Sequence, residues 1–294
     1  MPHAQNKHAE TLQNIEYANS DSALDRVIDL TTEPLFLENG YNKGIDVSNL
    51  GSEDFARHLN EYAEDYCRIS KLDGTEDSAS LSELALFANA PLLVLQQQKL
   101  NANQKRHDLP SIEFHQAKDD LVHSNSLITD YINEHPTENI HSLINNLSAT
   151  VDRFKDTPDQ NARTIIEEHI KGIRTEGGFV QLASQLKGVE IRPATPQQER
   201  KGVDFAARIT LPSRNQPVAV DIDIKRSLDQ VAGQAGGYSD DQDTFAMKEK
   251  GHFKFCPLIP DSAYENDSFL LKPEFLDLML PRIGMQLYKM AMMS

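Results

Sequence analysis

Apolar residues recur every three or four positions through most of the first half of the chain, which is the period of an amphipathic helix. This period, together with helix-start signals, predicts helices at Ser22–Leu30, from Ser52, at Ser80–Lys105, at Ser111–Glu134 and from Thr137. Pro91 is expected to kink or divide the third of these. The stretch 31–50 holds one proline and two glycines and predicts a loop. Residues 1–157 are therefore expected to form an α-helical domain.

The second half combines this helical period with the alternation of apolar and polar residues that is typical of strands. It predicts a helix at Gln160–Leu186 with a break at Gly177-Gly178, a strand at Val189–Ala194, two strands within Lys201–Lys225, a short helix or turn at Ser227–Tyr238, a strand at Phe253–Ile259 and a helix at Lys272–Met293 interrupted at Pro281. The last helix either closes the core or meets a partner helix. Residues 158–294 are expected to form a second domain of class α+β or α/β.

The strand that ends at Lys225 carries an unusual pattern. Its apolar residues share one face, and Asp221, Asp223 and Lys225 share the other. Desolvating three charges on one strand is costly unless they pair with each other, with a metal or with a solvated cleft. Asp204 opens the preceding strand, so a hairpin brings Asp204, Asp223 and Lys225 to one sheet edge. Two carboxylates and the carbonyl of Ile224 suit Mg²⁺, and the ammonium suits an attacking water or a phosphate.

Asp204, a gap of eighteen residues and then Asp223-Ile224-Lys225 resemble the motif of the PD-(D/E)xK nuclease superfamily, which has the restriction-endonuclease-like fold. The resemblance spans roughly Asn161 to Asp261 and implies an αβββαβ core with a mixed sheet. Gly202-Val203 stands where many members have a proline before the first aspartate.

The resemblance also implies roles for single residues. Asp204, Asp223 and a glutamate on the preceding helix would hold Mg²⁺ or Mn²⁺, and Lys225 would position the water. The helix acid is expected to be Glu176, with Glu168 and Glu167 as alternatives. Gln234, with Tyr238 four residues later, is similar to a Gln-x-x-x-Tyr motif of some members and would steady the lysine or the substrate, although it follows Lys225 by only nine residues.

The expected function is metal-dependent hydrolysis of nucleic-acid phosphodiester bonds, with DNA ahead of RNA as the substrate. The alternative is a non-catalytic interaction or effector protein that uses a nuclease-like scaffold and its acidic helical domain to bind a protein. A third option is a nuclease whose own acidic domain covers the substrate groove. The charged strand can also be explained without a function, as part of a surface hairpin whose outer face is solvated. A homodimer is compatible with each option.

Charge separates the two halves. The chain has a net charge of −16. Residues 1–150 hold 10 Lys and Arg against 24 Asp and Glu, whereas residues 151–294 hold 19 against 21. The acidic total argues against unspecific nucleic-acid binding by the whole chain, while the arginines around the hairpin allow a local phosphate-facing patch.

Nothing in the sequence pattern predicts export or a membrane span. The first twenty residues lack a basic segment followed by an apolar block, and no run of eighteen consecutive apolar residues occurs. Cys67 and Cys256 lie far apart, which favours two buried structural thiols in a reducing compartment. A cytoplasmic protein is expected, although a protein exported by a dedicated secretion system would have the same pattern.

Overall fold

A computed structural model describes residues 22–106, 109–154, 161–195, 198, 203–211, 216–227, 237–241, 244–249 and 252–293. Its helices are α1 Ala23–Thr32, α2 Pro34–Asn42, α3 Glu53–Asp73, α4 Ser78–Arg106, α5 Ser111–Glu134, α6 Ile140–Arg153, α7 Ala162–Ala183 and α8 Pro273–Met293. Its strands are β1 Val189–Pro193, β2 Phe205–Ile209, β3 Val218–Ile222, β4 Gly237–Asp241, β5 Thr244–Glu249 and β6 His252–Pro257. The class is therefore mixed α and β, as predicted. Gln234 lies outside the described residues.

The helix starts in the first half follow from local capping. Ser22 and Asp25 form a reciprocal capping box at α1, and the hydroxyl of Ser52 accepts a hydrogen bond from the backbone N–H of Phe55 at 3.1 Å. Asn139 accepts from two backbone N–H groups at the start of α6. These side chains satisfy helix donors that have no partner within the helix, so local sequence signals placed these helix starts to within a few residues.

The loop predicted at residues 31–50 is wrong, and so are the interruptions predicted at two prolines. The stretch 31–50 contains helix α2, which begins at Pro34, because a proline at the first helical position lacks only an N–H that would have no partner there. Phe36 of α2 is fully buried, so tertiary packing secures this helix. Pro91 does not divide α4, while the kink that was its alternative stays a prediction; in the second half, Pro281 does not interrupt α8. Pro91 is buried, so packing around it offsets the hydrogen bond that a proline removes.

Helix α7 runs through Gly177-Gly178 without the predicted break. A Cβ atom at position 178 would lie 2.4 Å from the hydroxyl oxygen of Tyr264, whereas at position 177 it would meet nothing within 4 Å. The second glycine therefore allows a close approach between the helix and Tyr264. Glu176 consequently lies on a helix.

The described strands form one six-stranded sheet in the order β1-β2-β3-β6-β5-β4. Strands β1, β2 and β3 form an antiparallel meander, β6 pairs parallel with β3, and β5 is antiparallel to both β6 and β4. The predicted strands correspond to β1, β2, β3 and β6, and the mixed sheet is confirmed. The sequence patterns did not predict the β4–β5 hairpin, and Tyr238 lies in β4 rather than in a helix or turn.

Two hydrophobic cores share one helix. The first core combines residues of α1–α6 with the first half of α7, including Ile166 and Ile170. The second combines the sheet and α8 with the second half of α7, including Phe179 and Leu182. Helix α7 therefore connects the helical region to the sheet. The division into domains at residues 157 and 158 stays a prediction.

Helix α4 has the length and composition to cross a membrane over Ser78–Gln104. In this fold, 67% of its most apolar window is buried inside the protein, and the core helix of a soluble protein gives the same result. Both cysteines are free thiols. Cys256 is buried as predicted, whereas Cys67 is only partly buried, which corrects the prediction for that residue.

Candidate functional site

The β2–β3 pairing brings Asp204 beside Asp223. Phe205 pairs with Ile222 in the antiparallel register, so the start of β2 lies next to the end of β3. Asp204 immediately precedes β2, and its backbone N–H donates to the carbonyl of Ile222 at 2.8 Å. The hairpin thus fixes both aspartates at the same sheet edge, as the sequence predicted.

Strand β6 anchors the chain beyond the end of β3. The N–H of Asp223 donates to the carbonyl of Phe255 at 2.9 Å, and the N–H of Lys225 donates to that of Pro257 at 3.0 Å. The carbonyl of Lys225 in turn accepts from the N–H of Ile259 at 2.9 Å. Backbone ladder bonds therefore hold the Asp223–Lys225 segment on the central strands.

A cavity of about 410 Å³ opens at this edge of the sheet. It is lined by Gly172, Thr175, Glu176, Asp204, Asp223, Ile224, Lys225 and Arg226. Four of the five residues that the sequence proposed for the site thus meet at one cavity, and the fifth is Gln234. Asp221, which shares the charged strand face, is instead bonded by the side-chain amide of Gln198 at 2.8 Å.

The structure also separates the three candidate helix acids. Glu176 lines the cavity, while Glu168 lines a different cleft together with Gln98 and Arg106. Glu167 forms an ion pair with Lys171 at 2.6 Å, and the hydrogen bond from Lys171 lowers the pKa of Glu167 despite the opposing effect of burial. Of the three, only Glu176 is positioned for this cavity.

Hydrogen bonds orient the two aspartates differently. One oxygen of Asp204, Oδ2, accepts from the backbone N–H of Ile224 at 2.7 Å. Asp223 forms an ion pair with Lys225 through Oδ1, and the Asp223 residue is only 3% exposed. Each carboxylate has a second oxygen, so the pair retains oxygen ligands for a cation.

Burial raises the pKa of Asp204 to about 6. The N–H of Ile224 and the charges of Lys225 and Lys254 oppose this effect, while the negative charge of Asp223 adds to it. Two carboxylates therefore share a poorly solvated place where the ionised state of Asp204 is disfavoured. A bound cation would offset that electrostatic cost.

The two carboxylates of Asp204 and Asp223 are suitable ligands for Mg²⁺ or Mn²⁺. Mg²⁺ in proteins is usually held by one or two carboxylates and keeps several waters or binds substrate phosphates. Across the residues that the structure describes, no group of three or more His, Cys, Asp or Glu side chains is arranged to hold a metal. Asp204 and Asp223 are thus the candidate ligands, and Glu176 is a cavity-lining acid outside such a group.

Lys254 is a buried charge near the site that sequence reasoning missed. It lies on β6, where it pairs in register with Asp221 on the parallel neighbour β3, and it is only 7% exposed. Its charge lowers the pKa of Asp204 against the larger effect of burial. The sequence does contain a signal for it, since Lys254 stands between two phenylalanines in a predicted strand. Such a lysine is expected to be buried, and a buried lysine needs a nearby negative charge.

Comparison of the chain with the known protein families, with curated proteins and with solved structures found no match.

Proposed function

We propose that this protein is a metal-dependent nuclease that hydrolyses phosphodiester bonds of nucleic acids. The observation that carries the proposal is the single cavity lined by Asp204, Asp223, Lys225 and Glu176. These residues come from three separate segments, namely α7, the start of β2 and the end of β3. Carboxylates that can hold a divalent cation, beside an ammonium that can stabilise developing negative charge, are groups suited to phosphodiester hydrolysis.

The order of elements supports the resemblance to the PD-(D/E)xK nucleases. Helix α7 precedes the meander β1–β2–β3, and β6 then pairs parallel with β3 beside the Asp223–Lys225 segment. This order is compatible with the helix and the four strands that the resemblance implies. Membership of that superfamily remains part of the proposal.

In the proposed reaction, Asp204 and Asp223 would hold the divalent cation through carboxylate oxygens. A bound Mg²⁺ would supply Lewis acidity and lower the pKa of a coordinated water. The ammonium of Lys225, fixed by Asp223, would donate a hydrogen bond to the attacking water or to a phosphate oxygen. Arg226 lines the same cavity and would bind a substrate phosphate through its planar guanidinium.

The test is calorimetric titration of Mn²⁺ and Mg²⁺ into the full chain, with plasmid and single-strand cleavage assays on the same samples. Asp223→Ala is expected to lose both metal binding and cleavage. Asp221→Asn is the matched control, because Asp221 lies two residues away and its carboxylate is bonded by Gln198 instead of lining the cavity. Equal cleavage by the wild type and Asp223→Ala would refute the proposal.

A second candidate is a non-catalytic protein that binds a partner through its acidic helical region. It is favoured by the ion pair of Lys225 with Asp223, which neutralises that carboxylate without a metal, and by the near-complete burial of Asp223. The same titration separates the two functions. A wild-type chain that binds neither ion and cleaves neither substrate would support the binding protein.

A further inference from the structure

A segment between β6 and α8 crosses helix α7 next to the cavity; residues 261–271 are called the crossing segment below. Tyr264 is its central contact and is only 2% exposed. The Tyr264 hydroxyl donates to the backbone carbonyl of Arg174 at 2.7 Å. In a regular helix that carbonyl also accepts from the N–H of residue 178, so the phenol sits against the turn between Arg174 and Gly178.

The side chain of Arg174 is held by the same segment. Its guanidinium lies 3.9 Å from the centre of the Tyr264 ring, and its Nε donates to the carbonyl of Ser268 at 2.7 Å. Nη1 is 3.6 Å from a carboxylate oxygen of Asp261. Arg174 is only 2% exposed, so a shift of this turn would separate a buried cation from its stabilising contacts.

Gly178 permits this arrangement. A Cβ atom there would lie 2.4 Å from the hydroxyl oxygen of Tyr264 and 3.1 Å from its Cζ atom. Real Cβ atoms do not approach other atoms so closely, and the Tyr264 ring is held by its contact with the Arg174 guanidinium. At Gly177 a Cβ atom would meet nothing within 4 Å. Only the second glycine is therefore required by the contact.

Helix geometry connects this contact to the cavity. Two residues of a helix are about 200° apart around its axis, so Arg174 and Glu176 point in nearly opposite directions. Fixing Arg174 towards the crossing segment therefore directs Glu176 towards the cavity that it lines. Thr175 lines the cavity as well and lies beside Tyr264, where its hydroxyl opposes the increase that burial causes in the pKa of Tyr264.

The crossing segment also contacts the helical region. Phe269 belongs to the first hydrophobic core, and its N–H donates to the carbonyl of Pro136 at 3.1 Å. Its own carbonyl accepts from the side-chain amide of Gln181 on α7 at 3.0 Å. The segment thus ties α7 to the connection between α5 and α6, and this makes its position dependent on both cores.

From these contacts we infer that Tyr264 is a positioning residue: through the backbone at Arg174 and Gly178 it fixes the turn of α7 that presents Glu176 to the cavity. The significance of that turn for catalysis rests on the proposed nuclease function, whereas the contact itself does not.

Amide hydrogen exchange of the full-length protein tests the contact without requiring any activity. Gly178→Ala is expected to accelerate exchange in the turn 172–178 by about tenfold or more, because the new methyl group displaces Tyr264. Gly177→Ala is the matched control and is expected to slow exchange, since alanine favours a helix over glycine and has free space there. Equal behaviour of the two variants would overturn the inference.

The double variant Gly178→Ala, Tyr264→Phe provides the rescue. Phenylalanine removes the atom at 2.4 Å and leaves contacts of 3.1 and 3.3 Å, so exchange in the turn is expected to return towards that of Tyr264→Phe alone. No improvement over Gly178→Ala would show that the hydroxyl contact does not fix the turn.

A cleavage assay then tests whether the contact between Tyr264 and Gly178 affects catalysis through the position of Glu176. Gly178→Ala is expected to lower cleavage about tenfold to a hundredfold, since small misplacements of catalytic groups have effects of that size. In the Glu176→Gln background the same change is expected to have little further effect, because both act through one side chain. Additive effects would contradict action through Glu176. A wild-type chain without cleavage would refute the nuclease proposal, while the exchange measurement would still decide whether Tyr264 holds the turn.

Discussion

The helical region and the sheet edge both contain poorly solvated ionisable groups. The charged form is favoured in the helical region and disfavoured at the sheet edge. In the helical region, Arg57 of α3 donates to both oxygens of Asp120 of α5, at 3.0 and 2.7 Å. The hydrogen bond that Arg57 donates to Asp120 raises the pKa of Arg57, so its charged form is favoured. At the sheet edge, burial raises the pKa of Asp204 to about 6, so its charged form is disfavoured.

The difference separates a structural ion pair from a candidate site. Arg57 and Asp120 form a bidentate ion pair between two packed helices. Each charge is compensated by the other, so such a pair needs no further ligand. Asp204 lies beside a second carboxylate in a cavity, where a cation would remove the electrostatic penalty. Buried charge alone therefore does not identify a functional site. Charge that is disfavoured in the folded protein and opens onto a cavity is the more informative signal.

The largest effect is expected for Lys225→Met. If its ammonium donates to the reacting groups, cleavage should fall roughly a hundredfold to a thousandfold, as for the loss of other preorganised donors. Metal affinity measured by calorimetry should fall much less, because lysine is not a ligand. Lys99→Met in the helical region, which removes an ion pair with Glu53 instead, should leave cleavage within about twofold of the wild type.

The opposite result is expected for Arg57→Met. Asp120 would keep a poorly solvated charge without its bidentate partner, and the free energy of unfolding should fall by about 2–3 kcal/mol, less than for a fully buried pair because Arg57 is partly exposed. Urea denaturation at neutral pH measures this change. Cleavage by the folded protein should be retained. An unchanged stability would mean that the pair has no structural role.

Asp204→Asn is expected to stabilise the protein while abolishing metal binding. The folded-state pKa of Asp204 lies above its usual value, so the ionised group lowers stability at high pH, and this cost disappears as pH falls through about 6 towards 4. Asparagine removes the charge and can still accept from the N–H of Ile224. Unfolding at pH 8 should give a gain of about 1–2 kcal/mol that shrinks at pH 4.5. A gain independent of pH would contradict this explanation.

The smallest effect is expected for Lys254→Met, which removes a positive charge that lowers the pKa of Asp204. Cleavage should increase with pH through a midpoint near 6 in the wild type, because the metal requires the ionised carboxylate. In the variant this midpoint should move to higher pH. A shift to lower pH would indicate that Lys254 does not act on Asp204.

Much of the fold could be predicted because its signals are local. Ser22 and Ser52 stand directly before their helices and accept from the backbone N–H three residues ahead, and the period-two pattern of β3 depends only on neighbouring residues. Asp204, Asp223 and Lys225 met because a hairpin fixes which ends of its strands are adjacent. The β4–β5 hairpin and helix α2 were missed because glycine and proline signals outweighed weak local patterns, and α2 is secured by the burial of Phe36.

The sequence by itself therefore determined most of the elements, and it determined that Asp204, Asp223 and Lys225 share a sheet edge. Only the tertiary structure decided that Glu176 lines the cavity, that Lys254 acts on Asp204 and that α7 belongs to both cores. Each of these depends on residues far apart in the chain, as when Tyr264 contacts the turn at Gly178. Local patterns contain no information about such contacts, because packing between distant segments selects among helix positions that the local sequence permits equally.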